Sequence, residues 1–144
     1  MRRFLYDTPV FLYGAGGEHP YRDPCRAIVA ESRRGGIAGE ASVDLLHEFA
    51  YVRQRRLRDR AAAAHAARII GRSCLLHPVE PSDVDLALTL WSELERLDMR
   101  DAIFAAQALN REIEAILSPD RGFDGIPGLE RIDPADTSAV ATLR

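Results

Sequence analysis

No lysine occurs anywhere in the 144-residue chain, and all nineteen basic residues are arginine. Codon usage in a GC-rich genome is the simplest cause. The chemical consequence is that every cation carries a planar fork suited to carboxylates and phosphates. Cysteine is scarce. Cys25 and Cys74 lie far apart, match no C-x-x-C spacing and are too few for a disulfide scaffold, so they read as reduced core thiols in a cytoplasmic setting. A run of apolar residues long enough to span a bilayer is missing, so no membrane partner is expected. The opening MRRFLYD starts like a secretory signal, but Asp7 and Pro9 interrupt the apolar run and no A-x-A pattern follows. An excess of positive charge is also missing. The formal net charge is −3, so no global field advertises nucleic-acid binding.

Several familiar sites are incomplete. Asp120 opens DRGFDG, which resembles a calcium loop, but Gly122 and Arg131 stand where its third and twelfth positions need oxygen ligands. His47-Glu48 begins an H-E-x-x-H zinc motif that Tyr51 breaks. The GAGG at 14–17 lacks the G-K-[ST] of a phosphate loop and reads as a helix stop. His19, His47, His65 and His77 share no ligand spacing and are expected to be structural or exposed.

What is present is an alternation of short strands and helices. Strands are expected at 3–6, 37–40, 74–79, 115–117 and 129–132. Helices are expected at 8–17, 21–36, 42–56, 58–71, 81–97 and 99–113, the fourth stopped by Gly71. The polar tail from Asp133 is expected to fray. This alternation, with 47% hydrophobic residues, indicates one α/β domain around a mainly parallel sheet.

Acidic residues interrupt this core-like sequence at four places. Asp7 directly follows the first strand, and Asp120 follows the strand at 115–117, which brings both to the carboxyl edge of the sheet, where open α/β folds bind ligands. Glu48 lies within LLHEFAYV and Asp101 heads DAIFAAQAL, both otherwise apolar. Each acid also has a purely structural reading. Asp7 suits a helix cap, Asp101 a capping arrangement with Asp98, Glu48 a pair with a nearby arginine, and Asp120 a turn. If the four converge, each like-charge pair at 4 Å costs roughly 1 kcal/mol in water and about 4 at an effective dielectric of 20. Protonation or a divalent cation relieves that cost. Oxygen-only ligands suit Mg²⁺ or Mn²⁺ rather than zinc. In VRQRRLRDRA, Arg53, Arg56 and Arg60 fall roughly on one helical face and form a candidate phosphate-tracking patch for RNA, or else a solvated basic surface.

The ordered set FLYDTPVFLY, LLHEFAYV, RDAIFAAQAL and AILSPDRGFDGIPGLERIDP resembles the PIN-domain ribonucleases, in particular the VapC-like toxins of bacterial type II toxin–antitoxin modules. The resemblance implies a single α/β/α sandwich over residues 1–133, followed by a polar tail at 134–144. It implies a Mg²⁺-dependent endoribonuclease, with Mn²⁺ as a substitute, whose acids are Asp7, Glu48, Asp101 and Asp120. Asp124 matches a further acid seen in many members. Ser118 holds the hydroxyl of the [ST]-x-D stretch, and Thr8 is placed to orient Asp7 or a bound water. Pro119 departs from the family pattern and stiffens that stretch. The implied partners are RNA, a small antitoxin protein and a second copy of the chain. A catalytically inactive PIN-like module that binds RNA or protein is the alternative, and a DNA nuclease of similar fold is a further one.

Overall fold

A computed structural model describes residues 1–144. The chain begins with β1 (Phe4–Tyr6), whose three side chains are all buried, followed by α1 (Thr8–Ala15) and α2 (Arg22–Arg33). Next come β2 (Gly39–Ser42), α3 (Val43–Leu57), α4 (Arg60–Ser73) and β3 (Leu75–His77). Two further helices, α5 (Pro81–Glu93) and α6 (Met99–Asn110), lead into β4 (Ala115–Leu117). A single 3₁₀ turn (Arg121–Phe123), β5 (Glu130–Ile132) and α7 (Thr137–Ala141) complete the chain.

The five strands are all parallel, in the order β3-β2-β1-β4-β5. Parallel neighbours need crossovers, and right-handed crossovers put α1–α4 on one face and α5–α6 on the other. The packing of α1 on α2 and α3, of α3 on α4, and of α5 on α6 fits that division. The chain leaves β1 toward β2 but leaves β4 toward β5, so the order reverses between β1 and β4. A crevice opens at the carboxyl edge of such a reversal. No helix is long and apolar enough to cross a membrane.

The sheet core is built from Phe4, Leu5, Tyr6, Ile116 and Leu117, against which Leu45, Phe49 and Phe104 pack. Alanines 102, 105, 106 and 108 are all fully buried, which lets α6 lie close to the strands. Cys25 and Cys74 are free thiols, the first fully buried.

Several boundaries differ from expectation. The second strand runs Gly39–Ser42 rather than 37–40. Phe4 pairs with Gly39, and a Cβ there would lie 2.0 Å from the Tyr6 ring, so only glycine can start this strand. Gly71 does not stop α4, which continues to Ser73. Its missing side chain instead admits Leu46 of α3, whose Cδ1 would stand 3.0 Å from a Cβ. Four expected helices are shorter than read: α1 ends at Ala15, α2 at Arg33, α5 at Glu93 and α6 at Asn110, and Glu112 takes a left-handed φ of 57° just past the last. The tail is ordered. Val140 and Leu143 are buried, the Arg2 N–H donates to the Leu143 carbonyl at 3.3 Å, and Arg144 pairs with Glu31 at 2.6 Å. Its apolar residues are few, but they close the end of the core.

Candidate active site

Register carries the first acid to its place. Leu5 pairs with Ile116 and Tyr6 with Leu117, so the next residues, Asp7 and Ser118, stand side by side as the strands end. The Asp7 N–H donates to the Leu117 carbonyl at 3.0 Å and extends the ladder by one rung. Asp7 is 2% exposed. Its Oδ1 accepts from the Thr8 N–H at 2.9 Å and caps α1; its Oδ2 accepts from the Ser118 hydroxyl at 2.5 Å. The capping role and the site role therefore coexist in one carboxyl.

The other acids approach from three segments. Glu48 comes from α3, and its Oε2 accepts from the Thr8 hydroxyl at 3.0 Å. Thr8 thus steadies Asp7 through its backbone and Glu48 through its side chain. Asp101 lies in the first turn of α6, where Asp98 caps the Asp101 N–H at 2.8 Å and leaves the Asp101 carboxyl uncommitted to the cap. Asp120 caps the 3₁₀ turn through Gly122 N–H at 2.8 Å, while its own N–H donates to Ser118 Oγ at 3.0 Å. A Cβ at Gly122 would sit 2.8 Å from the Arg96 carbonyl, so glycine is required for that turn to approach the segment between α5 and α6.

Electrostatics shows that these acids sense one another. Burial pushes the Asp7 carboxyl up to about 7 despite hydrogen bonds from Ser118 and Thr8, and the charges of Glu48 and Asp120 add to the rise. Asp101 is pushed up to about 9, first by burial, then by Asp7, Asp98 and Asp120. The nearest cation to Glu48 is Arg100, whose Nη1 lies 3.9 Å from Oε1. With little neutralising charge nearby, Asp7 and Asp101 are biased toward their protonated forms.

These groups do not close around a single point: no three His, Cys, Asp or Glu side chains stand at metal-ligand spacing. The chemistry of the donors still fits a hard divalent cation, since carboxylates and hydroxyls are all oxygen. A bound cation would draw these two raised carboxyls back toward their charged forms.

Asp124 pairs with Arg131 at 2.7 Å, and that guanidinium holds its carboxyl below the usual range. Arg131 also donates to the Ser118 carbonyl at 3.1 Å, so it braces the strand end that carries the site. Nothing in LERI marked that arginine in advance, because its role depends on the Ser118 loop. Arg53, Arg56 and Arg60 form no ion pair with the four acids; the arginine that pairs with one of them is Arg100. At ~100° per residue, Arg53 lies about 200° around α3 from Tyr51, which borders Glu48. Arg55 shares the Tyr51 stripe and lies over its ring, 5.9 Å from the centroid. The sequence reading overlooked Arg100, although it immediately precedes Asp101. Among the histidines, His77 bonds Glu40 at 2.7 Å and His19 stacks on Tyr13 at 4.2 Å.

The profile of the PIN domain matches residues 4–129. The chain belongs to the PIN-domain family. Within it, this PIN domain groups with the VapC-like ribonucleases. It is 34% identical over 141 residues to ribonuclease VapC7 of Mycobacterium tuberculosis, across 96% of this chain and 97% of that protein. It is 28% identical to ribonuclease VapC13 of the same organism, across 89% and 98%. Similar solved structures include a toxin–antitoxin complex from Klebsiella pneumoniae, with TM-score 0.66 and 18% identity over 90% of this chain and 96% of that one. Another is VapC20 of Mycobacterium tuberculosis, described as a sarcin–ricin-loop-cleaving toxin, with TM-score 0.60 and 21% identity over 85% and 90%. These structural likenesses carry the all-parallel α/β/α fold of the PIN domain.

Proposed function

We propose that this PIN domain is a Mg²⁺-dependent endoribonuclease, with Mn²⁺ as a substitute, and that it acts as the toxin of a toxin–antitoxin module. The observation that carries this reading is the Asp7–Ser118–Asp120 junction at the carboxyl edge of the sheet, with Asp101 and Glu48 facing it. Asp7, Asp101 and Asp120 would hold the cation. When bound, it neutralises phosphate charge and acidifies the attacking water. Ser118 and Thr8 keep Asp7 oriented. Glu48 remains 23% exposed and is steadied by Thr8, which suits it to complete the ligand set or to take the proton of the attacking water as the water oxygen bonds to phosphorus. The bond from phosphorus to the 3′ oxygen breaks in line, the leaving oxygen takes a proton from solvent water, and 5′-phosphate and 3′-hydroxyl ends result. No step uses the RNA 2′-hydroxyl.

The partner reading has its own support. A groove of about 490 Å³ between α1, α2, α3 and α4 is lined by Phe11, Val29, Phe49, Ile69 and Ile70, with Arg26 and Arg33 among its lining. It suits an apolar antitoxin segment flanked by acidic residues. On α5, Leu88 and Trp91 are half-exposed one turn apart and suit an isologous contact with a second copy.

The test is cleavage of single-stranded RNA and DNA by purified, antitoxin-free protein in Mg²⁺. Asp7→Asn and Asp101→Asn are expected to lower the RNA rate by about 100-fold or more while staying folded. Wild-type rates in the folded variants would sink the assignment. The looser spacing of the acids favours a second reading, a PIN module that binds RNA or protein without cutting. Calorimetric titration separates the two, because acid-dependent Mg²⁺ or Mn²⁺ binding is expected only of the enzyme.

A further inference from the structure

Beside the acid cluster lies a second, smaller cavity. Asp44, His47, Glu48 and Tyr51 of α3 and Arg100 and Phe104 of α6 line a cleft of about 100 Å³. Positions 44, 48 and 51, like 100 and 104, recur at the spacing that places side chains on one helical stripe. Glu48 belongs to both the cleft and the cluster, so whatever occupies the cleft adjoins the reacting phosphate.

The contents of the cleft suit one ligand chemistry. Tyr51 is 58% exposed, a large ring left at a wet surface beside the site. Arg55, one turn on, lies over that ring. Arg100 has 73% of its side chain exposed, and its only acidic neighbour within pairing distance is Glu48 at 3.9 Å, so its guanidinium is free to engage a phosphate. A volume near 100 Å³ takes a single planar ring and excludes a peptide helix. A ring, a fork of donors and an adjoining phosphate site are the features by which proteins hold unpaired nucleotides.

We infer that this cleft seats one unpaired nucleobase of the substrate strand, stacked on Tyr51, with Arg100 on the adjoining phosphate. The inference rests on the endoribonuclease reading above and adds a specificity-determining subsite to it. It also reassigns the basic contribution of α3, because Arg55 accompanies the cleft and Arg53 points away from it.

The experiment uses a fluorescein-labelled, mixed-sequence 12-nucleotide single-stranded RNA, together with a set carrying one abasic nucleotide at successive positions. Affinity is read by anisotropy in EDTA, and KM and kcat by cleavage in Mg²⁺. Tyr51→Ala is expected to weaken binding and raise KM by roughly 5- to 150-fold, the range of one base–aromatic stack. Tyr51→Phe and Tyr51→Trp, which keep a ring, are expected to stay within about 2-fold of wild type. At one position, the abasic nucleotide should cost the wild type that same factor and cost Tyr51→Ala nothing further. Equal KM for wild type and Tyr51→Ala, or equal abasic losses in both, overturns the subsite and leaves the ribonuclease reading standing. A folded wild type that neither binds nor cuts RNA removes both.

Discussion

At the scale of single residues, the site depends on hydroxyls as much as on acids. Ser118 is fully buried, donates to Asp7 and accepts from the Asp120 N–H, so one oxygen ties the ends of β1 and β4 to the 3₁₀ turn. Removing it leaves a buried carboxylate oxygen and a backbone N–H without partners, which costs about 1–3 kcal/mol. Ser118→Ala is therefore expected to lower stability by that amount in urea denaturation. It should also slow RNA cleavage by about 10-fold or more, because Asp7 and Asp120 lose their common anchor. Gly39 shows a different residue-scale constraint. Gly39→Ala would drive a methyl into the Tyr6 ring, and a loss of ~1–3 kcal/mol or more is expected by thermal melting.

At the scale of elements, the ends of helices position the chemistry. Asp98 caps α6, and Asp101 sits in the turn that this cap holds. Asp98→Ala is expected to cost ~1 kcal/mol in stability and to reduce cleavage more than that loss alone explains. The other end of α6 is held by Arg111, which forks onto Asp83 of α5 at 2.8 and 3.0 Å and also donates to the Pro78 carbonyl. Burial pushes the Asp83 carboxyl up, but Arg111, the Glu80 N–H and Asn110 outweigh it and hold it below the usual range. The Arg3 fork, against a smaller effect of burial and with help from His77, does the same for Glu40. Carboxyls lowered in the folded state stabilise it above their unfolded values of 3.8 and 4.5, and that stability is lost as pH falls through the folded values. The melting temperature is thus expected to drop below about pH 4. Arg111→Met should remove part of that acid dependence. At neutral pH it leaves Asp83 buried and unpaired, at a cost of about 3–5 kcal/mol.

At the scale of the molecule, two surfaces lie apart. The acid crevice lies at the carboxyl edge of β1 and β4, while the large apolar groove lies among α1 to α4. A substitution in the groove can therefore change partner binding without touching chemistry. Ile69→Asp, at a position already 37% exposed, is expected to leave RNA cleavage unchanged. If the groove takes the proposed antitoxin segment, the substitution should weaken neutralisation by more than about 10-fold in a co-expression or pull-down titration, because a carboxylate in an apolar interface has no partner. Loss of both properties together would place the groove and the active site in one functional unit.

Fold class and the order of the acids were legible in the linear chain, because strand and helix periodicities and apolar frames are local properties. Asp7 after FLY and Asp101 before AIFAAQAL stand out for that reason. Glycine was misread because its effect is tertiary. Gly71 matches a helix stop in sequence, but Leu46 from another helix determines its use. The polar tail was misread because two buried side chains, Val140 and Leu143, outweigh its composition once a core exists to receive them. The sequence by itself determined an all-α/β chain with acids at element ends, since those patterns follow from near neighbours. Only the tertiary structure decided that Asp124 belongs to Arg131, that Ser118 joins Asp7 to Asp120, and that Arg100 of α6 reaches Glu48 of α3. Those pairings depend on strand register and on helices brought together from distant parts of the chain.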